Sequence, residues 1–450
     1  MASQMARRCA LSLCALGQVS AHALSSRQTT ETQTSPYTDA VSKYVDSISE
    51  TLWPTNTEIH ENPELQYEEV KAHDLLTSFM ESQDGWNVTR SAYNISTAFT
   101  AVFQGDGEGP VVSFNAEYDA LKGLGHACGH NLIAMASLSG ALATAEIMRT
   151  EKLAGTVVLF GTPAEEGGGG KILLNEAGAY RDHKIDISLI SHPTNGGDSP
   201  YMSTTSTDTL DIEYYGKPAH AAAAPYDGIN AQDALVLAYD ALSMLRQQTH
   251  STDIIQGIIR SGGSLTNVIP DLSAATFAVR AADDSALHNL TERVYKCFEA
   301  GALATGATLN LTMRPHGYSN MVTNDVLAES YAAWFGGLGH GDELLPAETA
   351  RSSKSSASTD QGNLSHDFPS ISPWFGITNE DGSVPVTGPH TPPFEVASRS
   401  RRSFDKSLLV GKSLAGVAID VLTVDGLLDK VKEEFSGVNK VPRARRSIHM

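Results

Sequence analysis

Apolar residues recur at helical spacing over 37–52 and again over 68–80, on either side of the segment IHENPELQYEE, and predict two helices where the folded part begins. Short β-branched runs bounded by Gly or Pro follow at 111–115 (VVSFN), 155–161 (GTVVLFG) and 186–191 (DISLIS), the pattern of strands buried on both faces. Between the first two, 131–149 reads as a helix. Strands alternating with helices predict an α/β sheet, in which ligands gather at the C-terminal ends of the strands.

The pattern changes after residue 205. TLDIEYYG alternates as a strand, 228–245 is a long amphipathic helix, IIQGIIRSGG and SAATFAVRA read as strands, and a helix over 286–305 leads to a strand over 308–313. These elements predict an α+β unit of about 110 residues, the size of an independent domain, inserted at 206–316. The α/β signals then resume, with a polar SSKSSAS loop at 352–358, a Gly- and Pro-rich run, His390 and a helix over 403–424. The expected division is a main domain over 38–205 and 317–430, the insertion, and a loose basic tail over 431–450 that ends KVPRARRSIHM.

A chain of 450 residues exceeds what one hydrophobic core usually supports, which agrees with two domains. The net charge of −20 argues against nucleic acid as a partner, because a sequence-independent grip on phosphates needs a basic surface. The four cysteines, Cys9, Cys14, Cys128 and Cys297, are too scattered for a disulfide framework. No run reaches the roughly 18 consecutive apolar residues of a membrane span, so no membrane association is expected. Residues 1–37 admit two readings. Arg7 and Arg8 before a weakly apolar run over 9–19, then Ala21-His22-Ala23, imitate a secretory signal, whereas the Ser-, Thr- and Gln-rich stretch over 25–38 reads as a disordered tail. The balance slightly favours a cytoplasmic chain.

Four clusters supply side chains that bind borderline-soft metals, each after a predicted strand or in a tight loop: Cys128 with His130, Glu165 with Glu166, His192, and His390. In GHACGHN a single Gly separates Cys128 from His130 and leaves the backbone free to turn both toward one point. Taken alone, a buried Cys and a hydrogen-bonded structural His are the commoner reading. In TPAEEGGGG, adjacent carboxylates after a buried strand are costly unless a positive charge holds them. One of them can ligate a metal while the other serves as general base; solvent-facing glutamates at a helix N-terminus are the competing reading.

The segments IHENPELQYEE, NAEYDALKGLGHACGHN, TPAEEGGGGK, SHP, GKPAHAAAAPYDGINAQDAL, GGSLTNVIPD, STDQGN and HTPPF occur in the order seen in the aminoacylase and carboxypeptidase metallopeptidase family. The chain resembles the amidohydrolase branch of that family over most of its length. The resemblance implies an α/β/α exopeptidase-like catalytic domain with an inserted α+β, ferredoxin-like lid that serves dimerisation. It implies two divalent ions per subunit, zinc first, with manganese or cobalt able to substitute. Cys128 then matches the bridging ligand, His130, Glu166, His192 and His390 the remaining ligands, and Glu165 the general base. His220 matches a lid histidine, usually lent by a partner subunit, that stabilises the developing oxyanion. Asp119 and Asp360 match supporting carboxylates behind the ligands, and Asn267 and Arg280 lid residues that bind substrate. Glu117 stands where many relatives have Asp, and Pro193 follows His192 where relatives often have a small apolar residue.

The implied activity is hydrolysis of an amide bond in a small peptide or N-acyl amino acid, by a homodimer. The alternative is a non-catalytic relative that binds a peptide or serves as a scaffold, whose mark would be loss of the base or of a ligand. A serine hydrolase is disfavoured because the chain has no G-x-S-x-G turn.

Overall fold

The computed structural model describes residues 35–353 and 355–437. The signal-like or disordered stretch over 1–34 and the residues after 437 lie outside it.

In chain order the strands are β1 (Trp86–Arg90), β2 (Phe99–Gln104), β3 (Val111–Glu117), β4 (Thr156–Thr162), β5 (Ile187–Leu189), β6 (His192–Thr194), β7 (Ser206–Tyr215), β8 (Ile254–Ser261), β9 (Leu272–Ala281), β10 (Thr308–Met313), β11 (Ser370–Ile371) and β12 (Trp374–Gly376). Six of them form a mixed sheet in the order β1-β2-β4-β3-β5-β11. β3, β5 and β11 run parallel to β4, while β1 and β2 add an antiparallel edge. That edge did not stand out in the hydrophobic pattern.

Alternate side chains of β4 enter two different cores, as the twofold period of a strand requires. Val157 and Leu159 pack beneath helices Thr38–Glu61, His130–Glu151 and Arg401–Thr423, whereas Val158 and Phe160 meet Leu174, Tyr180 and Leu364 on the other face. Helices on both faces define an α/β/α domain, and burying both faces is what makes β4 read as a near-continuous apolar run, while β3 buries Ser113 and Asn115 on one face in hydrogen bonds. Helix His130–Glu151 is long and apolar enough to cross a membrane by composition, but 94% of its most apolar window is buried inside the protein.

The insertion is a four-stranded antiparallel sheet, β10-β7-β9-β8, covered on one face by helices Ala231–Leu245 and Asp284–Thr305. β7 alternates strictly, with Leu210, Ile212 and Tyr214 turned into this separate core. β8 is an edge strand and leaves Ile258 and Ile259 exposed. At the junction of the two domains, backbone bonds run both ways between Thr207 and Tyr318.

Two expectations change. The first helix continues to Glu61 through Pro54, so the IHE of IHENPEL is helical rather than a connection. The expected loose tail begins inside a helix, Leu427–Gly437, anchored where Val431 is buried and where the Glu434 carboxylate accepts from the amides of Asp325 and Val326.

Candidate metal centre and cleft

The site lies beyond the C-terminal ends of β3, β4 and β5. β3 delivers Glu117 and, two residues on, Asp119, both buried. Asp119 Oδ1 accepts from His130 Nδ1 at 3.0 Å, which fixes the imidazole and leaves its Nε2 pointing away with no hydrogen-bond partner. His130 opens a helix, and Gly129 before it sits at φ 74° with Pro193 packed against its Cα; an added Cβ would lie 2.7 Å from Pro193 Cγ. Only glycine suits that turn, which sets Cys128 and His130 side by side. The unusual Pro193 is thus a packing partner of the Cys128 turn. His192 donates through Nδ1 to the Pro193 carbonyl at 2.8 Å, and its Nε2 stands 3.4 Å from Cys128 Sγ. The His390 amide bonds the Ala127 carbonyl at 2.8 Å and brings that ring to the same place.

β4 delivers the glutamates. Glu69 Oε1 accepts from the Ala164 amide, and Asp119 Oδ2 accepts from the Glu166 amide, each at 2.9 Å. Asp119 therefore positions His130 with one oxygen and the glutamate loop with the other. His130 Nε2 lies 3.8 Å from Glu165 Oε2 and 3.8 Å from Glu166 Oε1, and His390 Nε2 lies 3.1 Å from Glu166 Oε1.

Donors sharing one tetrahedral ion at about 2.0–2.3 Å stand roughly 3.3–3.8 Å apart, close to these spacings. Two compact donor sets, Cys128–His130–His192 and Cys128–Glu166–His390, share the Cys128 sulfur. His130 Nε2 and Glu117 Oε2 are buried without hydrogen-bond partners, which protein interiors rarely tolerate unless an ion completes them. The residues present fit a metal.

Charge tells the same story. Burial pushes the Cys128 thiol well up, and the Glu166 and Glu165 charges add to it, so a thiolate there needs a cation. Burial lowers His192 to about 4 and keeps it a neutral donor. Burial and then repulsion from Glu117, Glu166 and Asp360 hold Glu165 well above the carboxylate range. Burial would also raise Glu166, but its contact with His390 and the charge of His130 bring it below.

Asp360 serves through a residue that drew no notice in the sequence. Lys171 is fully buried, donates to Asp360 Oδ1 at 2.6 Å, and also pairs with Glu117. Burial alone would lower this ammonium, yet Asp360 and Glu117 hold it well above the ordinary lysine range. Its only sequence signal was a lysine closing TPAEEGGGGK.

The cleft above the cluster measures about 360 Å³. Arg280 lines it, steadied by the Ser356 carbonyl at 3.1 Å and Ser358 Oγ at 2.8 Å. Thr207, Arg314, His316, Tyr318 and Trp374 line it too, and nothing in their local sequence marked them. His220 and Asn267 are absent from this lining. They meet each other at an exposed corner of the lid, where the Ala221 amide bonds the Asn267 carbonyl at 2.9 Å. His220 Nδ1 accepts from the Ala222 and Ala223 amides, so its Nε2 carries the ring hydrogen.

Residues 205–305 match the peptidase dimerisation domain. The chain is 38% identical to mouse Xaa-Arg dipeptidase over 87% of this chain and 90% of that protein. It is 31% identical to one of the subunits of p-aminobenzoyl-glutamate hydrolase from Escherichia coli, over 59% of this chain and 56% of that protein. A Bacillus subtilis dinuclear metal-binding peptidase of the M20 family shares the fold with a TM-score of 0.62, at 19% identity, over 84% of this chain and 99% of that one. The chain belongs to the M20 family of metallopeptidases and amidohydrolases. It is a metal-dependent enzyme that hydrolyses peptide or amide bonds, with an α/β catalytic domain and an inserted dimerisation domain.

Proposed function

We propose that the enzyme is a zinc-dependent dipeptidase or aminoacyl-amino-acid hydrolase, working as a homodimer with two ions in each subunit. The carrying observation is the pair of donor sets that share Cys128, with unpartnered buried atoms of His130 and Glu117 around them. On this reading Cys128, His130, Glu166, His192 and His390 would hold the two ions, with Cys128 common to both donor sets. A thiolate with imidazoles favours zinc, with manganese or cobalt as substitutes. When bound, the ions supply an activated water and polarise the scissile carbonyl.

Glu165 is the general base. Its raised affinity for protons suits it to hold the proton taken from water and hand it to the leaving nitrogen. Asp119 and Asp360 support the site from behind, the one through His130 and the Glu166 amide, the other through Lys171. Arg280, steadied by neutral groups of the loop at 356–358, binds the free carboxylate of the substrate by paired hydrogen bonds. His220 of a second copy donates its Nε2 hydrogen to the developing oxyanion, and Asn267 beside it contacts the substrate. Exposure of both residues, and of Ile258 and Ile259 on the edge strand β8, supports that assembly. We take the lid as 206–316 and the catalytic domain as 38–205 and 317–430.

The test joins metal analysis to a hydrolysis panel led by dipeptides ending in arginine, after the mouse relative, with p-aminobenzoyl-glutamate and N-acyl amino acids beside them. About two metals per chain, and a cleavage that Glu165→Gln lowers roughly 10²–10⁴-fold, are expected. Full metal with no panel member cleaved would favour a non-catalytic peptide binder.

A further inference from the structure

The loop that carries Glu165 and Glu166 is held by two phenols, one from each side. Tyr67, from the catalytic domain, donates to the Gly168 carbonyl at 2.6 Å. Tyr318 does more. Its hydroxyl donates to the Glu165 carbonyl at 2.5 Å and accepts from the amides of Gly167 at 3.0 Å and Gly169 at 3.1 Å. One oxygen thus gathers three backbone groups of five consecutive residues, in a turn where Gly167 and Gly169 both have positive φ and no side chain of their own to stabilise it.

Tyr318 lies on the segment that returns from the lid to the catalytic domain. Its own backbone is fixed on both sides: it exchanges bonds with Thr207, at the foot of the first lid strand, and the Asn363 amide side chain brackets it through the Gly317 carbonyl and the Ser319 amide. The ring is buried, and its hydroxyl is committed to these three backbone groups.

We propose that Tyr318 is a positioning residue for hydrolysis, setting the Glu165–Gly169 turn and tying it to the foot of the lid. The inference rests on the reading of Glu165 as base. Tyr318→Phe removes one oxygen and leaves the ring, so the turn loses three bonds while the packing stays. Displacement of the base by a fraction of an ångström to an ångström lowers turnover by about 10- to 100-fold.

The experiment compares the metal-loaded full-length wild type with Tyr318→Phe by steady-state kinetics and by hydrogen–deuterium exchange. The expected result is a kcat lower by about 10- to 100-fold with KM within about twofold, and faster exchange confined to peptides covering 165–170. Wild-type kcat and unchanged exchange in that segment would overturn the proposal, as would faster exchange throughout the chain. If Tyr318→Phe does not accumulate as folded protein, Asn363→Ala carries the same test, because it frees the 317–319 segment and keeps the phenol. Glu165→Gln run in parallel separates the two ideas: full activity in that variant removes the base assignment, whereas the exchange readout judges Tyr318 whatever the base is.

Discussion

Two clusters of buried carboxylates lie side by side under the cleft. In one, Glu117 and Asp360 enclose Lys171, whose ammonium pairs with both, and the cation is built into the chain. In the other, Glu165 and Glu166 meet Cys128, His130, His192 and His390, and Glu165 also lies within reach of Glu117 and Asp360 at the edge of the first cluster. In the first cluster the lysine takes one oxygen of each carboxylate; in the second, the buried Nε2 of His130 has no hydrogen-bond partner. The difference teaches that a metal centre is marked less by the number of acids than by who neutralises them. Glu117 belongs to both worlds, with one oxygen on Lys171 and the other, unpartnered, 3.7 Å from His130 Nε2.

Breaking the internal cation should have the largest effect. Lys171→Met leaves Glu117 and Asp360 buried without a counter-charge, and a loss of about 3–5 kcal/mol in unfolding free energy is expected by urea denaturation. A variant as stable as wild type would mean that the first cluster is no more self-contained than the second. Removing the external cation should act next: metal present at 100- to 1,000-fold above its Kd stabilises by about 3–4 kcal/mol, so chelation should lower the melting temperature reversibly. No shift on chelation would show that the orphaned donors do not form a metal site.

His220 extends the comparison to a second chain. His220→Ala should lower kcat by roughly 10²–10³-fold without loss of metal. Mixed dimers of His220→Ala and Glu165→Gln chains should regain activity, because one of the two clefts then holds both groups; failure to regain it would argue against donation between subunits.

The smallest effect concerns Glu69, which holds the Ala164 amide behind the glutamates. Burial, and then the nearby Asp119 charge, raise it from 4.5 to about 7. Between those values the folded state binds the extra proton, so stability falls as pH rises from 4.5 to about 7 and the loss is complete above. Glu69→Gln keeps the acceptor oxygen and removes the charge. Its stability should gain on wild type across that window, by about 1–3 kcal/mol at pH 8 and by little at pH 4. Melting curves at the two pH values check this, and a constant difference at all pH values would place the cause elsewhere.

Much of the architecture was legible beforehand. β4 shows as an apolar run because helices bury both its faces, and β7 alternates because only one of its faces meets a core. The hairpin of β1 and β2 was not legible: five residues of β1 alternate between half-buried and exposed, too short and too polar a pattern to stand out. The candidate ligands Cys128, His130, Glu166, His192 and His390 and the candidate base Glu165 stood out because chemically scarce side chains end strands or fill tight turns. Arg314, His316, Tyr318 and Trp374 did not, since each reaches the cleft from a segment whose local sequence has no reason to signal it.

By itself the sequence determined the α/β plan with its inserted α+β unit, the family resemblance and a set of candidate metal donors. These follow from local periodicity and residue type, which a chain displays before it folds. Only the tertiary structure decided that Lys171 neutralises Glu117 and Asp360, that Asp119 serves both His130 and the glutamate loop, and that His220 stands outside its own cleft. Those facts depend on which distant segments come within hydrogen-bond reach, and that distance is set by the packing of the sheet, helices and lid rather than by any residue's neighbours in the chain.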